Sequence, residues 1–178
     1  MKLFWGRADI FSAASLYVFL KGGKVQHLIH QLKYRGKKEI GISIGKYYGK
    51  ELKSSPFFNK ADVIIPVPLH PKKFKSRGYN QSEIFAQGLS ESLKIKNENN
   101  LLIRTHISET QTKKSRFARW KNVESVFKII QPEKLQGKHI LLADDVVTTG
   151  ATFESCARKI LEIPGTKVSV ASIACAMH

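Results

Sequence analysis

Cysteine and acid are both scarce in this chain, and no stretch of it is both long and apolar. Only two of its 178 residues are cysteine, Cys156 and Cys175. They form no CxxC pair, which removes the thiolate zinc and dithiol redox centres from consideration. Cys156 falls on a helical pattern and Cys175 in an apolar run, so both read as small packing residues. No window approaches the ~18 uninterrupted apolar residues of a membrane span, and the first residues lack the basic, apolar, small-residue order of a signal peptide. The expectation is a cytoplasmic protein with no membrane partner.

Acidic residues number 14 against 30 Lys and Arg, for a formal net charge of +16. An excess of that size implies an anionic partner, and nucleic acid and phosphorylated metabolites both qualify. Of the six histidines only His27 and His30 fall on one helix face, without a Cys or acidic partner, so they read as solvated or packed rather than as metal ligands. A hydrophobic content of 42% in this length suits one structural domain with a substantial core. Neither an internal repeat nor a low-complexity segment is present.

Val25, Leu28, Ile29 and Leu32 are spaced i, i+3, i+4, i+7, which predicts a helix over 24–34. The apolar run 14–20 before it predicts a strand, and a second helix is expected over 38–53. Residues 62–68 read as a strand buried on both faces, as in a parallel sheet, with Pro66 and Pro68 taking its end out of the hydrogen bonding. A basic loop follows over 70–78, then a helix from about residue 80 carrying Ile84, Phe85, Leu89 and Leu93, a turn over 97–100 and short strands at 101–104 and 125–130. The polar, basic stretch 105–122 reads as a surface loop or marginal helix. A second buried strand spans 138–147, a helix 151–163 and a last strand 168–176. Strands alternating with helices predict an α/β fold with a mainly parallel central sheet flanked by helices.

Four features coincide at residues 138–152. The strand Ile140-Leu141-Leu142-Ala143 runs into two carboxylates, Asp144 and Asp145, followed after Val146 and Val147 by Thr148, Thr149, Gly150, Ala151 and Thr152, where a helix begins. A helix N-terminus offers free N–H groups and the positive end of a dipole, so Thr hydroxyls and a Gly there make a phosphate cradle. Acids at the C-terminal edge of the preceding strand are placed to accept from sugar hydroxyls. A phosphate grip beside a diol grip describes a ribose 5-phosphate.

This stretch resembles the phosphoribosyl-pyrophosphate (PRPP) motif of type I phosphoribosyltransferases. The resemblance implies that Asp144 and Asp145 bind the ribose hydroxyls, that Val147, Thr148, Thr149, Gly150, Ala151 and Thr152 hold the 5′-phosphate, and that Mg²⁺ arrives with PRPP, held by the ligand's own oxygens and at most by Asp144 and Asp145 rather than by a protein cluster. It also implies a small hood, here residues 1–60, over a core of 61–178.

Further motifs narrow the family. Val63 to His70, then Arg77-Gly78-Tyr79-Asn80-Gln81, then Gln111 with Arg119 to Val123 and Phe127, are similar in order and spacing to the ComF family of competence-associated proteins, which includes GntX. That resemblance covers most of the chain. It implies a pyrophosphate loop at Val67, Pro68 and Leu69, phosphate contact by Arg77, and a catalytic loop carrying Gln111, Arg116 and Arg119. Relatives commonly begin with a four-cysteine zinc segment, which this sequence lacks, and Ser108 and Lys114 stand where the family pattern differs.

The implied activity is Mg-dependent transfer of phosphoribosyl to a nitrogen acceptor with release of pyrophosphate, in nucleoside metabolism or competence. No glutaminase segment is present, so the acceptor stays open. The alternative is a nucleic-acid-associated protein of DNA uptake or processing, in which Trp120 between Arg119 and Lys121, and Tyr79 beside Arg77, stack on single-stranded nucleic acid; the other reading of these aromatics is packing against the sheet. A PRPP sensor without turnover and a homodimer are also compatible with the sequence.

Overall fold

The computed structural model describes residues 8–105 and 126–176. β1 (Ser12–Phe19) leads to α1 (Lys24–Tyr34) and α2 (Lys38–Lys53); β2 (Val63–Pro66) is followed by α3 (Pro71–Arg77), α4 (Gln81–Leu93) and β3 (Lys96–Asn97); β4 (Leu102–Arg104) and β5 (Phe127–Ile129) precede β6 (His139–Val147), α5 (Ala151–Leu161) and β7 (Lys167–Ala176). Five strands form one parallel sheet in the order β1-β7-β6-β2-β3, and β4 and β5 make a separate antiparallel pair. The expected parallel α/β architecture is present.

The sheet is sandwiched because its central strands are apolar on both faces. Ile140, Leu142, Val63 and Ile65 point to one side, where α5 contributes Phe153, Cys156, Ala157 and Ile160 and the small sheet contributes Leu102 and Phe127. Ile64, Leu141, Ala143 and Ile173 point to the other, under α1, α2 and α4. Cys156 is fully buried, and burial pushes its thiol well above the ordinary range, as packing rather than chemistry requires. Cys175 is half-buried, with its thiol also raised by burial.

Within residues 1–60, read as a hood or flanking segment, β1 is bonded along its length to β7 and α2 packs on α4. The α2–α4 contact is a glycine seam: a Cβ on Gly45 would meet the Phe85 carbonyl oxygen, and one on Gly88 the Ile42 carbonyl oxygen. At the N-terminal ends of the strands, the buried His139 bonds Ser169 through Nε2 (2.8 Å), and Ser169 in turn meets Ser12 (2.7 Å). Burial holds the His139 imidazole below its usual range.

Two segments depart from expectation: β3 takes in Asn97, expected in a turn, and the other lies after β2. Within the expected loop 70–78, Pro71–Arg77 form α3: the His70 ring nitrogen Nδ1 accepts from the Lys72 N–H (3.2 Å), Pro71 opens the helix, and Gly78 closes it at φ 81°. These are ordinary capping signals. They were hidden because α3 has no buried residue and hence no apolar periodicity to read.

Candidate functional site

β2 and β6 part company where the site lies. Pro66 is the last β2 residue in register with β6, opposite Ala143, and the Val67 N–H makes the closing bond to the Ala143 carbonyl (2.8 Å). Beyond it β6 continues beside β7 alone, Asp144 facing Ser172 and Val147 facing Cys175. The open edge of β6 at Asp144 and Asp145 is therefore approached by the start of α4. Asn80 fixes that approach: its Oδ1 accepts from the Ser82 N–H (3.1 Å) as the α4 cap, and its Nδ2 donates to the Val67 carbonyl (3.0 Å), tying the loop after β2 to the helix.

Adjacent strand residues point to opposite faces, so the two carboxylates have different neighbours. Asp144 accepts from Ser82 Oγ (2.6 Å) and from the Asp145 N–H (2.8 Å) through one oxygen. Desolvation, then the neighbouring Asp145 charge, raises its pKa to about 7. Asp145 is buried and forms an ion pair with Lys33 Nζ from α1, while Gln81 Nε2 donates to its Oδ1 (3.3 Å). One acid thus has a built-in counter-charge and the other a set of hydroxyl and amide donors.

These groups line a cleft of about 280 Å³ together with Val67, Pro68, Leu69, Arg77 and Thr152. Arg77 donates to Gln81 Oε1 and lies over the Tyr34 ring at 5.3 Å. Gly150 caps α5 at φ 78°, a left-handed conformation that suits glycine, and the α5 N-terminus carries Ala151 and Thr152 exposed, with Thr148 and Thr149 exposed just before it. The Ala151 N–H is directed at Thr149 Oγ1 (3.4 Å). Val147, by contrast, turns its side chain into the core under α5, so only its backbone faces the loop.

Gln111, Arg116, Arg119 and Trp120 lie outside the described residues, on the connection between β4 and β5. Tyr79 is buried and donates to the Leu32 carbonyl, a packing role rather than an open stacking face. Sequence reasoning passed over Lys33, Ser82 and Arg104 and gave Gln81, His70 and Lys73 no role of their own, all of them in the cleft lining. Gln81 belongs to a motif already singled out; Lys33 carried no signal, being a polar residue on an amphipathic helix.

The donor set suits a hard cation only as an adjunct: two carboxylate groups are at hand, and no group of three metal-ligating side chains exists among the described residues.

Relatives decide the family. A DNA utilization protein YhgH of Escherichia coli O6:H1 is 33% identical over 146 residues, 80% of this chain and 63% of its own length. Competence protein ComFC of Bacillus subtilis is 31% identical over 155 residues, 87% of this chain and 60% of its own length. The chain belongs to the ComF-like family. It spans about three fifths of the length of these relatives. No family model matches it. The fold of this ComF-like protein is that of type I phosphoribosyltransferases: glutamine PRPP amidotransferase from Bacillus subtilis superposes with a TM-score of 0.54 at 22% identity, over 81% of this chain and 30% of that one. Among the described residues no helix is long and apolar enough to cross a membrane.

Proposed function

We propose that this ComF-like protein binds PRPP in the cleft between β2, β6 and α4 and transfers its phosphoribosyl group to a nitrogen acceptor. The observation that carries the reading is the meeting of three separate sequence segments, Val67 to Leu69, Arg77 with Gln81 and Ser82, and Asp144 with Asp145 and Thr152, in one cleft beside the α5 N-terminus. The positive end of the α5 dipole and the exposed threonines there suit the 5′-phosphate. Asp144 and Asp145 accept from the ribose hydroxyls, and Val67 to Leu69 with Arg77 face the pyrophosphate.

In the reaction, the acceptor nitrogen's lone pair forms the bond to C1′ as the C1′–oxygen bond breaks, and the electron pair leaves on pyrophosphate. Arg77 and the other cations of the cleft hold that growing charge in place. Asp144 and Asp145, the carboxylates of the cleft lining among the described residues, would hold a Mg²⁺ ion arriving with PRPP, which would supply further neutralisation of the leaving group.

Calorimetric titration with Mg-PRPP tests the site. Wild type is expected to bind, and Asp144→Ala with Asp145→Ala to lose at least a hundredfold in affinity; undiminished affinity in the double variant sinks the assignment.

A second reading, single-stranded nucleic-acid binding in DNA uptake, is favoured by the names of the relatives and by the +16 charge. On this reading the affinity for an oligo-dT strand falls steeply with salt and drops about tenfold in Trp120→Ala, since a stacked base is worth about 1–3 kcal/mol. A Trp120→Ala protein that binds normally removes the stacking role.

A further inference from the structure

No residue of α3 is buried, so core packing does not set where its last side chain, Arg77, stands. Two contacts among the described residues hold the Arg77 head instead. A guanidinium N–H group donates to Gln81 Oε1, and the guanidinium carbon lies over the Tyr34 ring, 5.3 Å from its centre. That separation is within the ~6 Å over which a ring face attracts a cation. Stacking occupies the face of the guanidinium and leaves its edge, where the N–H groups are, to oxygen acceptors.

Both holds are themselves anchored. Gln81 is buried, and its Nε2 donates to Asp145 Oδ1 (3.3 Å), so its amide is committed at both ends. Asp145 pairs in turn with Lys33, the residue before Tyr34. Tyr34, Arg77, Gln81, Asp145 and Lys33 therefore close a ring of side chains on the cleft, and two adjacent residues at the end of α1 take its charged corners, Lys33 the acid and Tyr34 the arginine. Tyr34 is 66% exposed, so burial does not explain where it stands. The His30 ring, one turn back on α1, lies 4.9 Å from the tyrosine ring and limits its swing.

From this geometry we infer that Tyr34 is a positioning residue for PRPP, its ring holding the Arg77 guanidinium in place to meet the pyrophosphate. The inference rests on the PRPP reading of the cleft and adds to it the group that sets the cation at the leaving-group end. A loose arginine gives up many rotamers when it grips an anion, whereas one already stacked gives up few, so the ring contributes to affinity without touching the ligand. Only the ring face is needed, and the tyrosine hydroxyl takes no part.

Calorimetric titration of the full chain with Mg-PRPP tests this on Tyr34→Ala, Tyr34→Phe, Arg77→Ala and the Tyr34→Ala/Arg77→Ala double variant. Tyr34→Ala, a change at an exposed side chain, is expected to bind about fivefold more weakly than wild type, and Tyr34→Phe to match wild type. In the Arg77→Ala background Tyr34→Ala should have no further effect, because the ring then has no guanidinium to hold. Proton NMR of the ligand-free protein gives a second readout: the Arg77 δ-protons should show an upfield ring-current shift in wild type and Tyr34→Phe that Tyr34→Ala removes. Unchanged affinity in Tyr34→Ala, a Tyr34→Phe protein as weak as Tyr34→Ala, or an equal loss in the Arg77→Ala background overturns the inference; the second outcome would give the role to the hydroxyl, and the third would mark direct ligand contact or a general loss of structure. If wild type does not bind Mg-PRPP, the positioning role falls with the reading beneath it, whereas Mg-PRPP binding indifferent to Tyr34→Ala defeats the positioning role alone.

Discussion

Asp144→Asn is expected to make the protein more stable at pH 8 by on the order of 2–3 kcal/mol, while removing its affinity for Mg-PRPP. The reason is the place of Asp144 at the open edge of β6, where burial and the Asp145 charge raise its pKa from 3.8 to about 7. The folded protein holds a proton there that the unfolded chain releases near pH 4, so between about pH 4 and 7 the folded state binds more protons. Stability contributed by this group is therefore lost as pH rises through that window, and above pH 7 the whole cost of a half-buried carboxylate beside a second negative charge is present. Asparagine keeps an oxygen to accept from Ser82 Oγ and the Asp145 N–H and has no charge to desolvate. The gain in the variant should accordingly be absent near pH 4, grow through pH 7 and level off above it. In a chain of this length it amounts to a rise of about 5 °C or more in Tm at pH 8. Equal midpoints at pH 8 would show that Asp144 is not strained by its site. A functional group that costs stability is common where a ligand supplies the missing partners, here the ribose hydroxyls of the proposed PRPP.

A second large effect is expected from Gly88→Ala on the opposite face of α4. Alanine is the better helix former by about 1 kcal/mol, so a solvent-exposed exchange would stabilise. Here the new methyl would strike the Ile42 carbonyl oxygen and lie within 2.8 Å of the Gly45 Cα, both backbone atoms that cannot rotate aside. The two helices must separate, and overpacking of this kind costs about 1–3 kcal/mol beyond the propensity gain. Gly41→Ala is the internal comparison, since its neighbours at 2.8 and 3.1 Å are the tips of Ile84 and Leu32 side chains, which can shift. Urea titration should place Gly88→Ala about 1–3 kcal/mol below wild type and Gly41→Ala clearly more stable than Gly88→Ala. A Gly88→Ala protein as stable as wild type would mean that the helices do not meet at this seam. Since α4 carries Asn80, Gln81 and Ser82 at its start, displacement of the helix should also weaken Mg-PRPP binding, without any change in the groups that touch the ligand.

Much of this molecule was legible in its residue order. The continuous apolar runs that end in Pro66 and Asp144 required a parallel sheet buried on both faces, because nothing else hides a strand with no polar side. The i, i+3, i+4 spacing placed α1, and the acid pair followed by Thr148 to Thr152 marked a strand end that runs into a helix N-terminus, since both depend on contacts within a few residues. Side-chain period also assigned Cys156 to the core. It failed at α3, where capping rather than periodicity makes the helix and no side chain is buried. It could not show that Val147 turns into the core while its neighbours face the loop, nor that β2 stops one residue short of the acids and leaves the β6 edge open to α4. Least of all could it bring Lys33 to Asp145, 112 positions along the chain, or Tyr34 to Arg77. Those pairings depend on how α1 and α3 cross the end of the sheet, and packing between distant segments leaves no local pattern in the sequence of either one.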